Sequence, residues 1–355
     1  MFPMFKNISE YTPENREKRK GTKSGLFVHR MDPEKSKTSS WLIKVGGGYN
    51  RIDSGNFSSG ALSDSHVIRE SYSGNIYKIF IPDNVTKTRI FYNNNRNQES
   101  EPEFLLGSKL IENFEDLEDI NRDVFTALTV AERKKISKDI AKVRIVSAML
   151  NEGDLENKLA NSGFQRRDGQ LIFKKIDHGE SLDLNVQGSS FSQEFSFPNE
   201  YGHLGIFLHQ LNLNVDSTLF WEAIDEIVSA DITALDNIIA FHEHLLSQSR
   251  ERHGVFSHYM VSDEPDKIGQ IIRDRFECLT RLNNLKKNID QRIIESTEQL
   301  PEADVSSYRS LLTELRHITV IDHPHIESIS YRFNQILNNE LDENVRGVVH
   351  YRGPY

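Results

Sequence analysis

The spacing of apolar residues changes character along the chain. In Gly25-Leu26-Phe27-Val28-His29-Arg30 and Trp41-Leu42-Ile43-Lys44-Val45, short apolar runs flank a polar loop from Met31 to Ser40, the pattern of a β-hairpin. Gly46-Gly47-Gly48 breaks the second run, and a Ser/Gly-rich loop extends to Ser63. Behind a cap at Asp64 or Ser65, Val67, Ile68, Tyr72, Ile76 and Ile79 recur at helical intervals. Thr88–Tyr92 and Phe104–Leu110 read as strands separated by an Asn-rich turn, and the apolar-acidic stretch Ile111–Leu117 falls where a hinge is expected. An amphipathic helix follows over Glu132–Leu150, with apolar residues at Ile136, Ile140, Val143, Ile145, Val146, Met149 and Leu150. After a polar loop and a turn at Arg167-Asp168-Gly169, Leu171–Ile176 reads as a strand.

Beyond a Ser-, Phe- and Gly-rich segment ending at Gly202 the periodicity is helical. Helices are predicted over Leu204–Leu211, Thr218–Val228, Ile232–Gln248, Lys267–Gln299, Ser306–Ile318 and His325–Leu341. The pattern therefore predicts an α+β protein. A small sheet-bearing lobe spans 25–114 and a mainly helical lobe spans 115–345, with polar tails at 1–24 and 346–355. Neither an internal repeat nor a sustained heptad is present.

Composition narrows the function classes. A chain of 355 residues with net charge −10 does not suit general nucleic-acid binding. Its single cysteine, Cys278, excludes an intrachain disulfide and a Cys-rich zinc site and fits a reducing compartment; in a helical segment it reads as packing. No apolar run approaches the roughly 18 residues that span a bilayer, and the amino-terminal residues lack a signal-peptide pattern. The histidine groups His242/His244, His253/His258 and His323/His325 do not have the spacing of a metalloprotease helix. Arg16–Lys20 with Lys23 reads as a solvated tail. Arg273, Arg275, Arg281, Lys286 and Lys287 read as a solvated helix face, with an anionic-ligand pocket as the other reading.

The remaining chemistry lies in the order of a few polar residues. Lys44 interrupts an apolar strand, where an ammonium is costly to bury unless it meets an anion. Glu70 lies off the apolar stripe of the next helix, one turn in, and is the natural partner for Lys44. Ser36, Lys37 and Thr38 lie in the hairpin loop, where hydroxyls and backbone N–H groups suit phosphate, although the loop lacks glycine. After the long helix, Glu156 precedes Asn161 by five residues, Asp154 precedes it by seven, and Asp177-His178-Gly179 ends the next strand. A kinase-type phosphotransferase uses such groups, in this order, to hold phosphates, orient an acceptor hydroxyl and bind metal.

Four segments carry a family resemblance: Trp41-Leu42-Ile43-Lys44, Phe104–Phe114, Gly153–Gly163 and Lys175–Leu182. They resemble the HipA-like branch of the protein-kinase-like fold, and more closely the Legionella-type effector kinases that bacteria inject into host cells. The run Ile271–Phe276 is similar to the closing helix of those domains. The resemblance covers about Gly25 to Asn288. It implies a bilobal kinase-like fold binding ATP and Mg²⁺, with Lys44 on the phosphates, Glu70 orienting Lys44, and Asn161 and Asp177 on the metal. Glu156 stands where relatives carry the catalytic Asp, and Lys158 where they carry His, so the implied base is Glu156, with Asp154 as the alternative and Lys158 facing the transferring group. The site either transfers phosphate or, as a pseudokinase, binds nucleotide or a partner. The resemblance further implies a bacterial protein exported to the host cytoplasm, a host protein or small-molecule acceptor, and an inositol polyphosphate activator. The polar segment Asn338–Tyr355 is the candidate export signal.

Overall fold

The computed structural model describes residues 5–14, 25–32, 37–44, 59–93, 103–152, 154–179, 181–182, 195–196, 202–253, 266–296, 302–316, 320–321 and 323–350. Its first strands are β1 (Phe5–Asn7), β2 (Thr12–Pro13), β3 (Gly25–Asp32) and β4 (Lys37–Lys44), followed by helix α1 (Ser59–Phe80), β5 (Thr88–Tyr92) and β6 (Phe104–Lys109). They form a six-stranded sheet in the order β1-β5-β6-β4-β3-β2, antiparallel throughout except for the parallel pair β1/β5.

The hairpin is longer than its apolar runs. β3 and β4 pair from Gly25↔Lys44 to Asp32↔Lys37, so the ladder continues through residues that read as loop. Lys37 and Thr38 are strand residues opposite Asp32 and Met31, which corrects their placement in a phosphate-covering loop; Ser36 lies outside the described residues. A second difference is at the amino terminus, where β1 and β2 draw part of the expected polar tail into the sheet. The basic run Arg16–Lys20 and Lys23 lies outside the described residues.

One face of the sheet buries Val28, Trp41, Ile43 and Phe91 beneath Tyr11, which comes from the turn between β1 and β2. Tyr11 and Trp41 both meet Phe91 edge-on, at 5.1 and 5.7 Å between ring centroids, in the geometry aromatic quadrupoles favour. The other face receives α1. That helix comes so close to β5 that a Cβ on Gly74 would lie 2.3 Å from Thr88 Oγ1. α1 also packs against α6 (Leu235–His253), so its polar residues are enclosed as well as its apolar stripe. Asp64 does not cap the helix, which starts five residues earlier; it accepts from the backbone N–H groups of Glu103 and Phe104 at 3.1 and 2.8 Å. Ser71 bonds His242 of α6 at 3.2 Å, and His242 stacks on Tyr72.

The expected hinge is itself a strand. β7 (Phe114–Asp116) joins β8 (Ser162–Arg167) and β9 (Gln170–Lys175) in a three-stranded antiparallel sheet. Between them come α2 (Asp123–Thr126) and α3 (Val130–Met149); Thr129 and Glu132 close a reciprocal capping box at the start of α3. A bridge between Val85 and Lys175 ties the segment after α1 to β9. α4 (His203–Gln210) and α5 (Ser217–Val228) follow, and α5 packs on α3.

The helical region read from sequence as one block divides. Residues 1–192 and 198–272 form one compact unit, and 193–197 with 273–355 form another. The second contains most of α7 (Asp266–Ser296), β10 (Phe195–Ser196), α8 (Glu302–Arg316), β11 (Val320–Ile321) and α9 (His323–His350). Within it β10 pairs with β11, and α8 and α9 pack through Tyr308 and Phe333. Along α7 the basic residues do not share one environment. Arg281 pairs with Glu277 one turn back, at 2.5 Å, and Lys286 with Asp290 one turn on, at 2.6 Å, while Arg275 is buried. Cys278 is buried, and among the described residues no helix is long and apolar enough to cross a membrane.

Candidate active site

Lys44 sits at the last position of β4, on the sheet face turned toward α1. Its Nζ lies 2.7 Å from Glu70 Oε1 and 3.3 Å from Asp177 Oδ2. Lys44 and Glu70 are 8% and 4% exposed, whereas the Asp177 side chain is 37% exposed, so the trio opens outward at Asp177. Burial alone would discharge the lysine. Attraction to Asp177 and Glu70, with hydrogen bonds to both, outweighs it and holds the ammonium above the usual lysine range.

Glu70 reaches this position because α1 is enclosed around its middle turns, where residues 67–74 are all buried. Apolar periodicity marks only the stripe facing one neighbour, so a buried acid on the remaining face reads as solvated. Asp177 follows β9, and its Oδ1 accepts the Gly179 N–H at 3.0 Å. A Cβ on Gly179 would come within 3.3 Å of that oxygen and 3.5 Å of Glu70 Oε2, so glycine lets the backbone pass the carboxylates closely.

The residue between Asp177 and Gly179 points inward. His178 is fully buried and tilts against Tyr77 of α1 at 4.8 Å, with neither ring nitrogen hydrogen-bonded. Burial, then repulsion from Lys175, holds it well below the usual histidine range, so the ring is a neutral packing element at neutral pH.

A second buried pair lies beside Asp177. Lys175 donates to the Asp177 main-chain carbonyl, its Nζ is 3.7 Å from Glu152, and Ser181 donates to the same Glu152 oxygen. Both charged residues are fully enclosed; burial raises the Glu152 carboxyl above its ordinary value, and Lys175 opposes that rise. Sequence reasoning missed this pair. The available signal was a second lysine in an apolar strand, the criterion that singled out Lys44.

The loop after α3 separates the two candidate bases. Asp154 accepts from Lys158 and lies 3.5 Å from Asn161 Nδ2. Asn161 ends a 3₁₀ turn (Leu159–Asn161), and its carbonyl accepts the Ile176 N–H at 3.0 Å, which ties this loop to the strand end before Asp177. Glu156 points elsewhere. Arg144 of α3 donates to both of its oxygens, at 2.8 and 3.0 Å, its carbonyl accepts the Leu204 N–H, and Gly202 packs on its side chain. The residues read from sequence thus form two groups, Lys44/Glu70/Asp177 and Asp154/Lys158/Asn161, with Glu156 apart and Lys37 and Thr38 in the β3/β4 ladder.

Among the described residues no group of three or more His, Cys, Asp or Glu side chains could hold a metal unaided. Compared with known proteins, the chain matches no protein-family model and no curated sequence.

Proposed function

We propose that the protein is a phosphotransferase of the bilobal protein-kinase-like type that uses ATP and Mg²⁺. The observation that carries this reading is the buried Lys44 held between Glu70 on the adjoining helix and Asp177 beyond β9. A buried ion group is a poor stabiliser, because desolvation offsets much of the attraction. A lysine fixed in place suits the phosphates of a nucleotide, the role it has in such enzymes.

The donor set fits the metal. One lysine against two carboxylates leaves a net negative charge, open to solvent at Asp177, which a divalent cation offsets. Mg²⁺ carried by phosphates needs only one or two protein oxygens, and Asp177 with the Asn161 amide oxygen would supply them. The chemistry such an ion would supply is neutralisation of charge on the phosphates during transfer.

The remaining steps belong to this chain's own groups. Lys44 holds the phosphates, and Glu70 fixes the direction of its ammonium. Asp154 accepts the proton of the acceptor hydroxyl. Lys158, more than half exposed and paired with Asp154, turns its charge to the transferring group. Glu156 is a fold-holding residue in this scheme, because both of its oxygens are occupied by Arg144. The resemblance adds an acceptor that is a host protein or small molecule, reached after export.

The same Arg144–Glu156 pair favours the second reading, a pseudokinase that binds nucleotide without transfer. Radiolabelled phosphate transfer from ATP, measured beside ATP-dependent thermal shifts, separates the two. The first reading requires transfer that is lost in Asp177→Ala and Asp154→Asn. Nucleotide binding without transfer selects the second, and loss of neither property in Asp177→Ala defeats both.

A further inference from the structure

Two lysines hold Asp177, one at its side chain and one at its main chain. Lys44 lies 3.3 Å from the carboxylate, and Lys175 donates to the carbonyl. β9 stops at Lys175, so that carbonyl lies past the last ladder pair and takes its donor from a side chain instead.

The second lysine is itself held. Asn151, in a left-handed turn at φ 52°, closes α3, and the Glu152 N–H beyond it donates to the Ser147 carbonyl at 2.9 Å. This turns Glu152 toward β9, where its carboxylate lies 3.7 Å from Lys175 Nζ and accepts from Ser181. The chain is tied down on either side of Asp177 as well: Ile176 N–H donates to the Asn161 carbonyl at 3.0 Å, and Leu182 N–H to the Leu150 carbonyl at 2.8 Å. Two turns beyond Glu70 on α1, Tyr77 packs on His178 and bonds Ser147 at 2.6 Å, so the helix that carries Glu70 also bears on this inner network.

Stability alone does not call for charge here. Lys175 and Glu152 are fully enclosed, so neither meets a ligand, and burying two ions costs more than a neutral donor to one carbonyl would. A charge-assisted bond is shorter and about twice as strong as a neutral one, which suits holding a backbone in one place.

We propose that the Lys175–Glu152 pair is a positioning device for Asp177. It fixes the main chain from which the exposed carboxylate projects, and thereby sets how tightly that carboxylate takes a divalent cation carried by phosphates. Groups that orient a metal-binding side chain govern affinity in this way, with losses of about 10–100-fold when they are removed. The cation's part rests on the phosphotransfer reading; the fixing of the main chain does not.

The test uses Lys175→Met/Glu152→Gln in the full chain, which removes both charges together. In metal-free protein, hydrogen exchange at the Ile176 and Gly179 amides should quicken by at least about tenfold, while exchange in α1 and α3 and the melting temperature stay at parent values. In calorimetric titrations with ATP, the gain in affinity that Mg²⁺ confers over EDTA should shrink by at least about tenfold, with affinity in EDTA unchanged because Lys44 and Glu70 remain. A fall in melting temperature together with both affinities means a merely structural pair and overturns the proposal, as does unchanged exchange at the two amides. A Mg²⁺ gain abolished by Asp177→Ala but intact in the double variant overturns this inference and leaves the phosphotransfer reading standing. A parent protein that gains nothing from Mg²⁺ defeats that reading and the cation's part with it, and exchange then decides the positioning. If the double variant does not fold, Ser181→Ala, which frees Glu152 of one hydrogen bond, gives the same two readouts; changes of about threefold are expected, and none overturns the proposal.

Discussion

Arg144 grips Glu156 with two hydrogen bonds, Nε to Oε1 at 2.8 Å and Nη2 to Oε2 at 3.0 Å, so the carboxylate at the expected base position is committed to holding α3 against the following loop. Asp154, two residues earlier, is the acid beside Asn161. Asp154→Asn is therefore expected to lower the turnover number for phosphate transfer by at least about 100-fold, the usual lower range for a lost general base, with nucleotide affinity and melting temperature preserved. Glu156→Gln should instead lower unfolding stability by roughly 1–3 kcal/mol, because the buried guanidinium loses its counter-charge. Steady-state kinetics and urea unfolding on the same two variants distinguish these outcomes.

Lys44 and Glu70 are enclosed together, so removal of one leaves the other's charge in the interior. Lys44→Met should cost roughly 3–5 kcal/mol, and adding Glu70→Leu should recover a large part of it. A double-mutant cycle by urea unfolding measures the difference. Additive losses would mean that the pair is not coupled in the folded protein.

His242 makes stability depend on pH. Burial is the main cause of its depressed value, about 4 against an ordinary 6.5. Between those values the unfolded chain binds a proton that the folded chain does not. The contribution is thus fully present above about 6.5 and is lost as the pH falls toward 4, by up to about 3 kcal/mol. Urea unfolding from pH 7.5 to 4.5 should show a shallower decline in His242→Phe than in the parent protein. Equal slopes would show that His242 is protonated without cost.

Gly74→Ala places a Cβ 2.3 Å from Thr88 Oγ1 and 3.1 Å from the His178 ring. Alanine favours a helix interior by about 1 kcal/mol over glycine, but the clash pushes α1 off β5 and should give a net loss of roughly 1–3 kcal/mol. Thr88→Ala should rescue part of the loss. Since α1 carries Glu70, phosphate transfer should fall with the single variant and recover with the double.

The parts of the site legible in the sequence share one property: each is polar where the local pattern calls for something else. Lys44 breaks an apolar strand, and Asp177 and Gly179 end one. The β5 and β6 strands and the long helices follow their apolar periods closely. What was illegible depends on partners distant in the chain. Only the fold brings Arg144 to Glu156, and nothing local ranks Asp154 above Glu156. Lys175 and Glu152 are visible as a pair only once β9 and the end of α3 are side by side. The hairpin extends past its apolar runs because strand pairing continues through polar residues when the ladder can. β1 and β2 are too short to carry a period of their own.

Those two short strands change what counts as the beginning of the folded unit. β1 covers the rim of β5, and Tyr11 roofs Trp41 and Phe91. A chain begun at Gly25, where hydropathy would draw the boundary, bares the outer edge of Thr88-Arg89-Ile90-Phe91-Tyr92 with its backbone donors and acceptors unmatched. Such a rim recruits other strands, so the shortened protein would assemble edge to edge with copies of itself. The nine residues from Phe5 to Pro13, which resemble a tail, thereby act as the fold's guard against self-association.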